Sequence, residues 1–250
     1  MLTKNEIKLI QSLKLEKYRK ELGLFVIEGR KMVNELIDSN FEIEYICATE
    51  DFLNKQGQQA GFELVTEKQM EQMSSFKTQS GVLAVAKIPK SDETIKENTS
   101  IIVALDGINN PGNMGTIIRT CDWYGIQNIV CSEDCVEAWN PKVIQSTMGS
   151  IFRTKSIETN LEAYLKDKKQ NGIQILGALM EGENIYKIDQ IKDPTIVVIG
   201  SESHGIRANI LPLITKPINI PRASGSQADS LNASMATGII ISEIYRKSLI

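Results

Sequence analysis

The sequence predicts an α/β protein built as a small α/β domain followed by a larger parallel-sheet domain, and three observations carry that prediction. From Ile101 onward short apolar runs alternate with helical patterns, the rhythm of parallel strands joined by crossover helices. A shorter series of strands and helices fills residues 1–90. Between the two, residues 87–100 turn polar around Pro89, which places a linker at 91–100 and the second domain at 101–250.

In the first domain, residues 4–20 space Ile7, Ile10, Leu13 and Leu15 at helical intervals, and Phe25-Val26-Ile27 reads as a short buried strand. Met32, Val33, Leu36 and Ile37 fall on one helical face. A strand at 43–48, a helix at 67–74 and the apolar run 81–86 follow. In the second domain, residues 101–105, 128–131, 173–179, 195–199 and 217–220 read as buried strands. Helical patterns at 114–123, 141–150, 161–169 and 231–246 separate or follow them.

The 250 residues are 42% hydrophobic and 24% charged with seven Pro, which excludes wholesale disorder and collagen-like or low-complexity structure. No apolar run approaches the roughly 18 residues of a membrane span, and residues 1–20 alternate charge with Leu and Ile instead of forming a signal-peptide core. A cytoplasmic protein with no membrane partner is expected. Cys47, Cys121, Cys131 and Cys135 show neither a disulfide framework nor C-x-x-C spacing. His204 is the only histidine, so multi-His metal sites are excluded, no metal is expected, and a Ser-His-Asp triad has one candidate base. The net charge of −3 divides unevenly: residues 1–31 carry +4 and the remainder −7. A basic end on an acidic body suits a local phosphate-binding surface and argues against indiscriminate binding to polyanions, although solvated helix faces explain the same charges.

Parallel sheets bind ligands beyond the C-terminal ends of their strands, so the loops there are where chemistry is sought. The loop from Asp106 runs through Asn109-Asn110-Pro111-Gly112-Asn113 into a helix that carries Arg119. Asn113 is placed to cap that helix, and Arg119 could clamp a phosphate or sit in an ion pair on an ordinary capped helix. The second loop, Gly200-Ser201-Glu202-Ser203-His204-Gly205, flanks a carboxylate with glycines. Glu202 could accept hydrogen bonds from hydroxyl or amino groups, and the spacing is not that of a nucleophile elbow. A lone loop histidine such as His204 is most often a surface residue. The third loop follows Ile220-Pro221 and contains Arg222, Gln227 and Ser230-Leu231-Asn232-Ala233-Ser234 before a helix rich in small residues, which Asp229 or Ser230 could cap. Neither a P-loop nor G-x-G-x-x-G occurs, which weakens an unrelated nucleotide-binding enzyme as the alternative.

In this order and spacing the three segments resemble the signature motifs of the SpoU (TrmH-like) RNA ribose 2′-O-methyltransferases of the SPOUT superfamily. Asn113 to Thr120 looks like N-x-G-x-x-x-R-T, Gly200 to Gly205 like G-x-E-x-x-G, and Ile220 to Ala236 like I-P…S-L-N-x-S-x-A. Residues 142–150 are similar to the family's segment between the first two motifs. Phe25-Val26-Ile27-Glu28-Gly29 and Gln79-Ser80-Gly81-Val82 resemble the ribosomal-protein-L30e-like substrate-binding domain that many members carry.

The resemblance implies a deep trefoil knot in the second domain, a homodimer whose subunits complete each other's sites, and S-adenosyl-L-methionine held by backbone at Gly200, Ile220 and Leu231. It implies methyl transfer to a ribose 2′-hydroxyl, with Arg119 as activator and Asn113, Glu202, Ser230 and Asn232 around it. A guanidinium stays protonated, so Arg119 is expected to orient a phosphate and polarise the hydroxyl, with the proton lost to Glu202 or water. RNA is the expected nucleic-acid partner and DNA is not. Ribosomal RNA is preferred over transfer RNA because the front domain resembles a ribosomal RNA-binding module, and a non-catalytic RNA-binding protein of the same fold is the other alternative. The loop between Ile220 and Leu231 is about two residues longer than the resemblance leads one to expect, which leaves the substrate-facing contour open.

Overall fold

The computed structural model describes residues 2–56, 61–89, 100–189 and 191–248. Residues 91–99 of the expected linker lie outside them. The chain forms two compact units, one of Met1–Ser91 with Glu137–Phe152, the other of Asp92–Val136 with Arg153–Ile250.

The first unit opens with α1 (Lys4–Ser12), started by a capping box in which Thr3 and Glu6 exchange side-chain and backbone hydrogen bonds. The single helix expected over residues 4–20 is two, because α2 spans Glu16–Leu22. Leu13 is fully buried while Leu15 is 60% exposed, so the two cannot share one stripe. The Leu13 carbonyl accepts from Arg19 Nη1 at 2.5 Å, which occupies it outside the helical ladder. Next come β1 (Leu24–Glu28), α3 (Arg30–Ile37), β2 (Ile43–Thr49), α4 (Glu50–Gln56), β3 (Glu63–Val65), α5 (Glu67–Met73) and β4 (Val82–Lys87). The sheet order is β1-β4-β2-β3, with β4 antiparallel to both neighbours and β3 parallel to β2. The central position of β4 explains its unbroken apolar run, since Val82 to Ala86 are all fully buried. Met32, Val33 and Leu36 of α3 face the core, whereas Ile37 at its end is exposed.

Residues 137–152 add a wall to this unit. Asn140 caps α7 (Pro141–Thr147), and the Trp139 ring lies 4.6 Å from Phe25 and 6.0 Å from Phe41, centroid to centroid. Phe152 meets Phe41 at 5.2 Å. Arg19, counted above among the basic residues, is buried and donates through Nε to Glu137 Oε1 at 2.6 Å and through Nη2 to the same oxygen. It is thereby removed from any phosphate-binding surface.

The second unit consists of β5 (Ile101–Asp106), α6 (Pro111–Trp123), β6 (Asn128–Ser132), β7 (Lys155–Thr159), α8 (Leu161–Gln170), β8 (Gln174–Asn184), β9 (Thr195–Gly200), β10 (Lys216–Asn219) and α9 (Ala233–Ser248). Its six strands are all parallel in the order β10-β8-β9-β5-β6-β7. One face buries Ile102, Ala104, Val130, Ile175, Ile196 and Val198 with Leu161 and Leu165 of α8. The sequence reading missed β7, an edge strand whose residues Lys-Ser-Ile-Glu-Thr include one fully turned inward, Ile157. Pairing with β6, not hydrophobicity, makes it a strand. Asp106 and Gly200 end adjacent strands directly opposite each other, so the first two motif loops leave the sheet side by side.

Candidate active site

The loop after β5 is held from below. Gly107 N–H donates to Ser132 Oγ at 2.9 Å, and Ile108 N–H to Cys135 Sγ at 3.2 Å. Hydrogen bonding from the Cys131 thiol, joined by Ser132 and the two peptide N–H groups, brings the Cys135 thiol down to about 7 despite burial. Asn110, not Asn113, caps α6: its Oδ1 accepts from Gly112 N–H at 2.8 Å and Asn113 N–H at 3.2 Å. The reason is Pro111, which suits the first helical position and fixes the cap one residue before it. Asn113 therefore sits inside the first turn, buried, with its amide free for other partners.

Those partners come from the other two motifs. Asn113 Nδ2 donates to Glu202 Oε1. A carboxylate only accepts, so this fixes the amide with Oδ1 turned to Asn232, whose Nδ2 donates to it at 2.9 Å. Ser234 Oγ, also buried, donates to Asn232 Oδ1 at 2.7 Å and lies 3.4 Å from Asn113 Oδ1. The Asn232 oxygen also accepts from Ser234 N–H at 3.0 Å and Met235 N–H at 3.3 Å. Asn232, rather than Asp229 or Ser230, thus caps α9, and residues of all three motifs meet in one network. Ser234 was not singled out from the sequence. Its place in the network follows from the Asn232 cap, which a sequence reading that caps the helix earlier cannot find.

The second motif loop is a tight hairpin in which Ser201 and Gly205 exchange backbone hydrogen bonds of 3.2 and 2.9 Å. A Cβ on Gly200 would stand 2.1 Å from the Gly205 carbonyl carbon, so only glycine fits there. Glu202 projects from this hairpin, exposed, with Oε1 on Asn113. His204 is exposed and its Nδ1 lies 2.7 Å from Ser203 Oγ.

Arg119 stands apart from the network. It is exposed on the α6 face shared with Thr116 and Trp123, and among the described residues it has no ion pair or side-chain hydrogen bond. Ser230 and Leu231 belong to a loop, residues 221–232, that is exposed throughout. Neither Ile220 nor Leu231 enters a backbone hydrogen bond among the described residues. Beside them, Asn219 Oδ1 is buried without a hydrogen-bond partner while its Nδ2 reaches the Met180 carbonyl at 3.4 Å. An orphaned acceptor next to free peptide groups fits a ligand bearing hydroxyl or amino donors together with acceptors, as S-adenosylmethionine does.

Comparison with known proteins agrees with this geometry. Residues 100–242 match the SpoU rRNA Methylase family, and residues 4–84 match the MRM3-like substrate binding domain. The chain is 26% identical over 234 residues to the 23S rRNA (guanosine(2553)-2'-O)-methyltransferase RlmP of Bacillus subtilis, covering 92% of each. A TrmH-family structure from Porphyromonas gingivalis superposes with a TM-score of 0.88 at 31% identity over 99% of both chains. The AdoMet-bound rRNA methyltransferase of Sinorhizobium meliloti gives 0.85 at 26% identity, covering 100% of this chain and 97% of that one. With three motifs converging on one network and more than half its length matching the family, this chain belongs to the SpoU rRNA methylases.

Proposed function

We propose that this protein transfers the methyl group of S-adenosylmethionine to a ribose 2′-hydroxyl of ribosomal RNA, acting as a homodimer in the cytoplasm. The single observation that carries the reading is the hydrogen-bond network of Asn113, Glu202, Asn232 and Ser234, which joins all three motifs at the ends of β5 and β9 and the start of α9. Backbone at Gly200, Ile220 and Leu231, with the Asn219 acceptor, would hold the cofactor. When bound, it supplies an electrophilic methyl group on a sulfonium. The chain's own residues must then present the hydroxyl in line and take its proton.

Glu202 accepts that proton in this reading. Asn113 donates to Oε1, and the other carboxylate oxygen has no partner among the described residues. The amide thus orients the base through one oxygen and leaves the other for the proton. Arg119 orients the adjoining phosphate and polarises the hydroxyl. Among the described residues its exposed guanidinium has no partner, which supports a role in the site of a second copy. Trp123 on the same face of α6, 84% exposed, and Met235 on α9, also exposed, supply apolar side chains for that pairing. Ser230 and the long 221–232 loop face substrate. A trefoil knot through β10, this loop and α9 is part of the proposal, as is a division of labour between residues 1–90 binding RNA and 101–250 carrying the transfer site. Ribosomal over transfer RNA is supported by the RNA named for the RlmP relative. Among the described residues no helix is long and apolar enough to cross a membrane.

Titration calorimetry with S-adenosylmethionine and its demethylated product tests the cofactor site without RNA. Binding of both is expected, and no heat at millimolar ligand would overturn the reading. Arg119→Ala should then lower turnover roughly 10²–10³-fold while cofactor affinity holds. Arg119→Lys should rescue little, because lysine lacks the planar fork that engages two oxygens.

A further inference from the structure

Asp106, the last residue of β5, has a fully buried carboxylate. An ionised group there needs close donors and a counter-charge. Arg207 supplies both. Its backbone N–H donates to Asp106 Oδ2 at 2.7 Å, its Nε donates to Oδ1 at 2.5 Å, and Nη2 lies 2.5 Å from the same oxygen. Nη1 turns the other way and reaches Asp134 at 3.3 Å, past the end of β6. Asp134 stands over the first turn of the β5 loop, where a Cβ on Gly107 would meet its Oδ2 at 3.3 Å and Ser201 Cβ at 3.9 Å. One guanidinium therefore ties together the ends of β5 and β6 and the exit of the hairpin that carries Glu202.

That hairpin is closed on itself by the Ser201–Gly205 exchange, so its placement is set at its two ends, the exit running through buried Ile206 to Arg207. One end continues β9, fixed by the sheet. The other leaves at Gly205, and Arg207 is the first side chain beyond it with polar contacts to the sheet ends. A planar fork between a buried and a half-exposed carboxylate sets direction as well as distance, which a flexible ammonium does not. Reactive geometry tolerates only about 0.5 Å of error, so the orientation set at this end bears on the reaction as well as on folding.

We propose that the Asp106–Arg207–Asp134 clamp is a positioning device for Glu202, setting its carboxylate against Asn113 in the orientation that accepts the hydroxyl proton. Arg207 acts through Glu202 and does not touch substrate. The inference rests on the reading above that Glu202 takes part in the transfer.

A double-mutant cycle on the full-length protein tests it, using Arg207→Lys, Glu202→Gln and their combination. The readouts are methyl transfer from labelled S-adenosylmethionine to ribosomal RNA from cells lacking the protein, and cofactor binding by calorimetry. Arg207→Lys should lower kcat roughly tenfold, with KM for RNA and cofactor affinity within about twofold. In the Glu202→Gln background the same substitution should cost less than about twofold. Equal fractional losses in both backgrounds, or a loss confined to cofactor affinity, would overturn the clamp while leaving the Glu202 reading intact. An unchanged kcat in Glu202→Gln alone would overturn that reading and the clamp with it. Should Arg207→Lys fail to fold, Asp134→Asn removes only the outer, half-exposed contact. It should lower kcat about two- to threefold, again only when Glu202 is present, and an additive loss would overturn the proposal.

Discussion

Among the described residues, two arginine–carboxylate pairs join elements more than 100 positions apart through a buried carboxylate, one in each compact unit, and they differ in what the arginine is left free to do. In the first unit Arg19 and Glu137 are both buried, with side chains 2% and 6% exposed. Arg19 spends its remaining donor on the Leu13 carbonyl, so the pair is enclosed within α2, the preceding turn and the 137–152 segment. In the second unit Asp106 is equally buried, but Arg207 is 39% exposed and reaches a second carboxylate beside the Glu202 hairpin. The same chemistry thus secures a wall of the fold in one place and aims a reactive group in the other. An enclosed pair should be read by stability and an open, forked pair by turnover.

The strongest test of that contrast is Arg19→Ala, which leaves Glu137 buried without its counter-ion and should cost about 3–5 kcal/mol in chemical denaturation. Turnover per folded molecule should not change, and a fall in kcat at constant stability would erase the distinction. The deficit also has a pH signature. Burial already holds the Glu137 carboxyl above the ordinary carboxylate range, and removing Arg19 raises it further. A raised carboxyl favours the folded state below its unfolded pKa and loses that advantage as pH rises through the folded value, so the deficit should shrink in acid and grow towards neutrality. Replacing both partners by Arg19→Met and Glu137→Leu should restore most of the stability, because well-packed apolar residues avoid the desolvation cost.

A smaller effect is expected at Gly149, whose φ of +103° lies where side chains strain and whose added Cβ would meet the Glu35 carboxylate at 2.9 Å. Gly149→Ala should cost about 1–3 kcal/mol and leave kcat unchanged, marking the 137–152 segment again as a structural wall. The smallest effect separates the units by thiol chemistry. Burial pushes Cys47 in the first unit up to about 12, whereas Cys135, beneath the loop that follows Asp106, is brought down to about 7. Iodoacetamide should therefore label Cys135 with a rate that rises through pH 7, and Cys47 should stay unlabelled until the protein unfolds. Labelling of both at equal rates would show that the floor under the first motif loop is not ordered as described.

The strand rhythm after Ile101 was legible because parallel strands buried on both faces are continuously apolar, and β5, β6 and β9 are of that kind. Edge strands lack that signal, which is why Lys-Ser-Ile-Glu-Thr of β7 escaped notice. In the site, Asn113, Glu202 and Asn232 could be named from the resemblance of their motifs to those of the family, but their connections could not. A cap at Asn110 frees Asn113, and a cap at Asn232 brings Ser234 inward; each shift is only two or three residues in sequence. Arg207 and Asp106 are separated by 101 positions, and nothing in either local sequence points to the other. The same is true of Arg19, which contributes to the basic count of residues 1–31 and yet lies in the core. Charge counting reads composition, while the role of an individual charge depends on which element folds over it.

The central claim is the ribose specificity of the transfer, and the most direct measurement is the chemical identity of the product. Ribosomal RNA from cells lacking the protein would be incubated with it and methyl-labelled S-adenosylmethionine, digested to nucleosides and separated. The account predicts that the label is recovered in a 2′-O-methylnucleoside and disappears with Arg119→Ala. Label in a base-methylated nucleoside, or no incorporation by a protein that binds the cofactor, would contradict it.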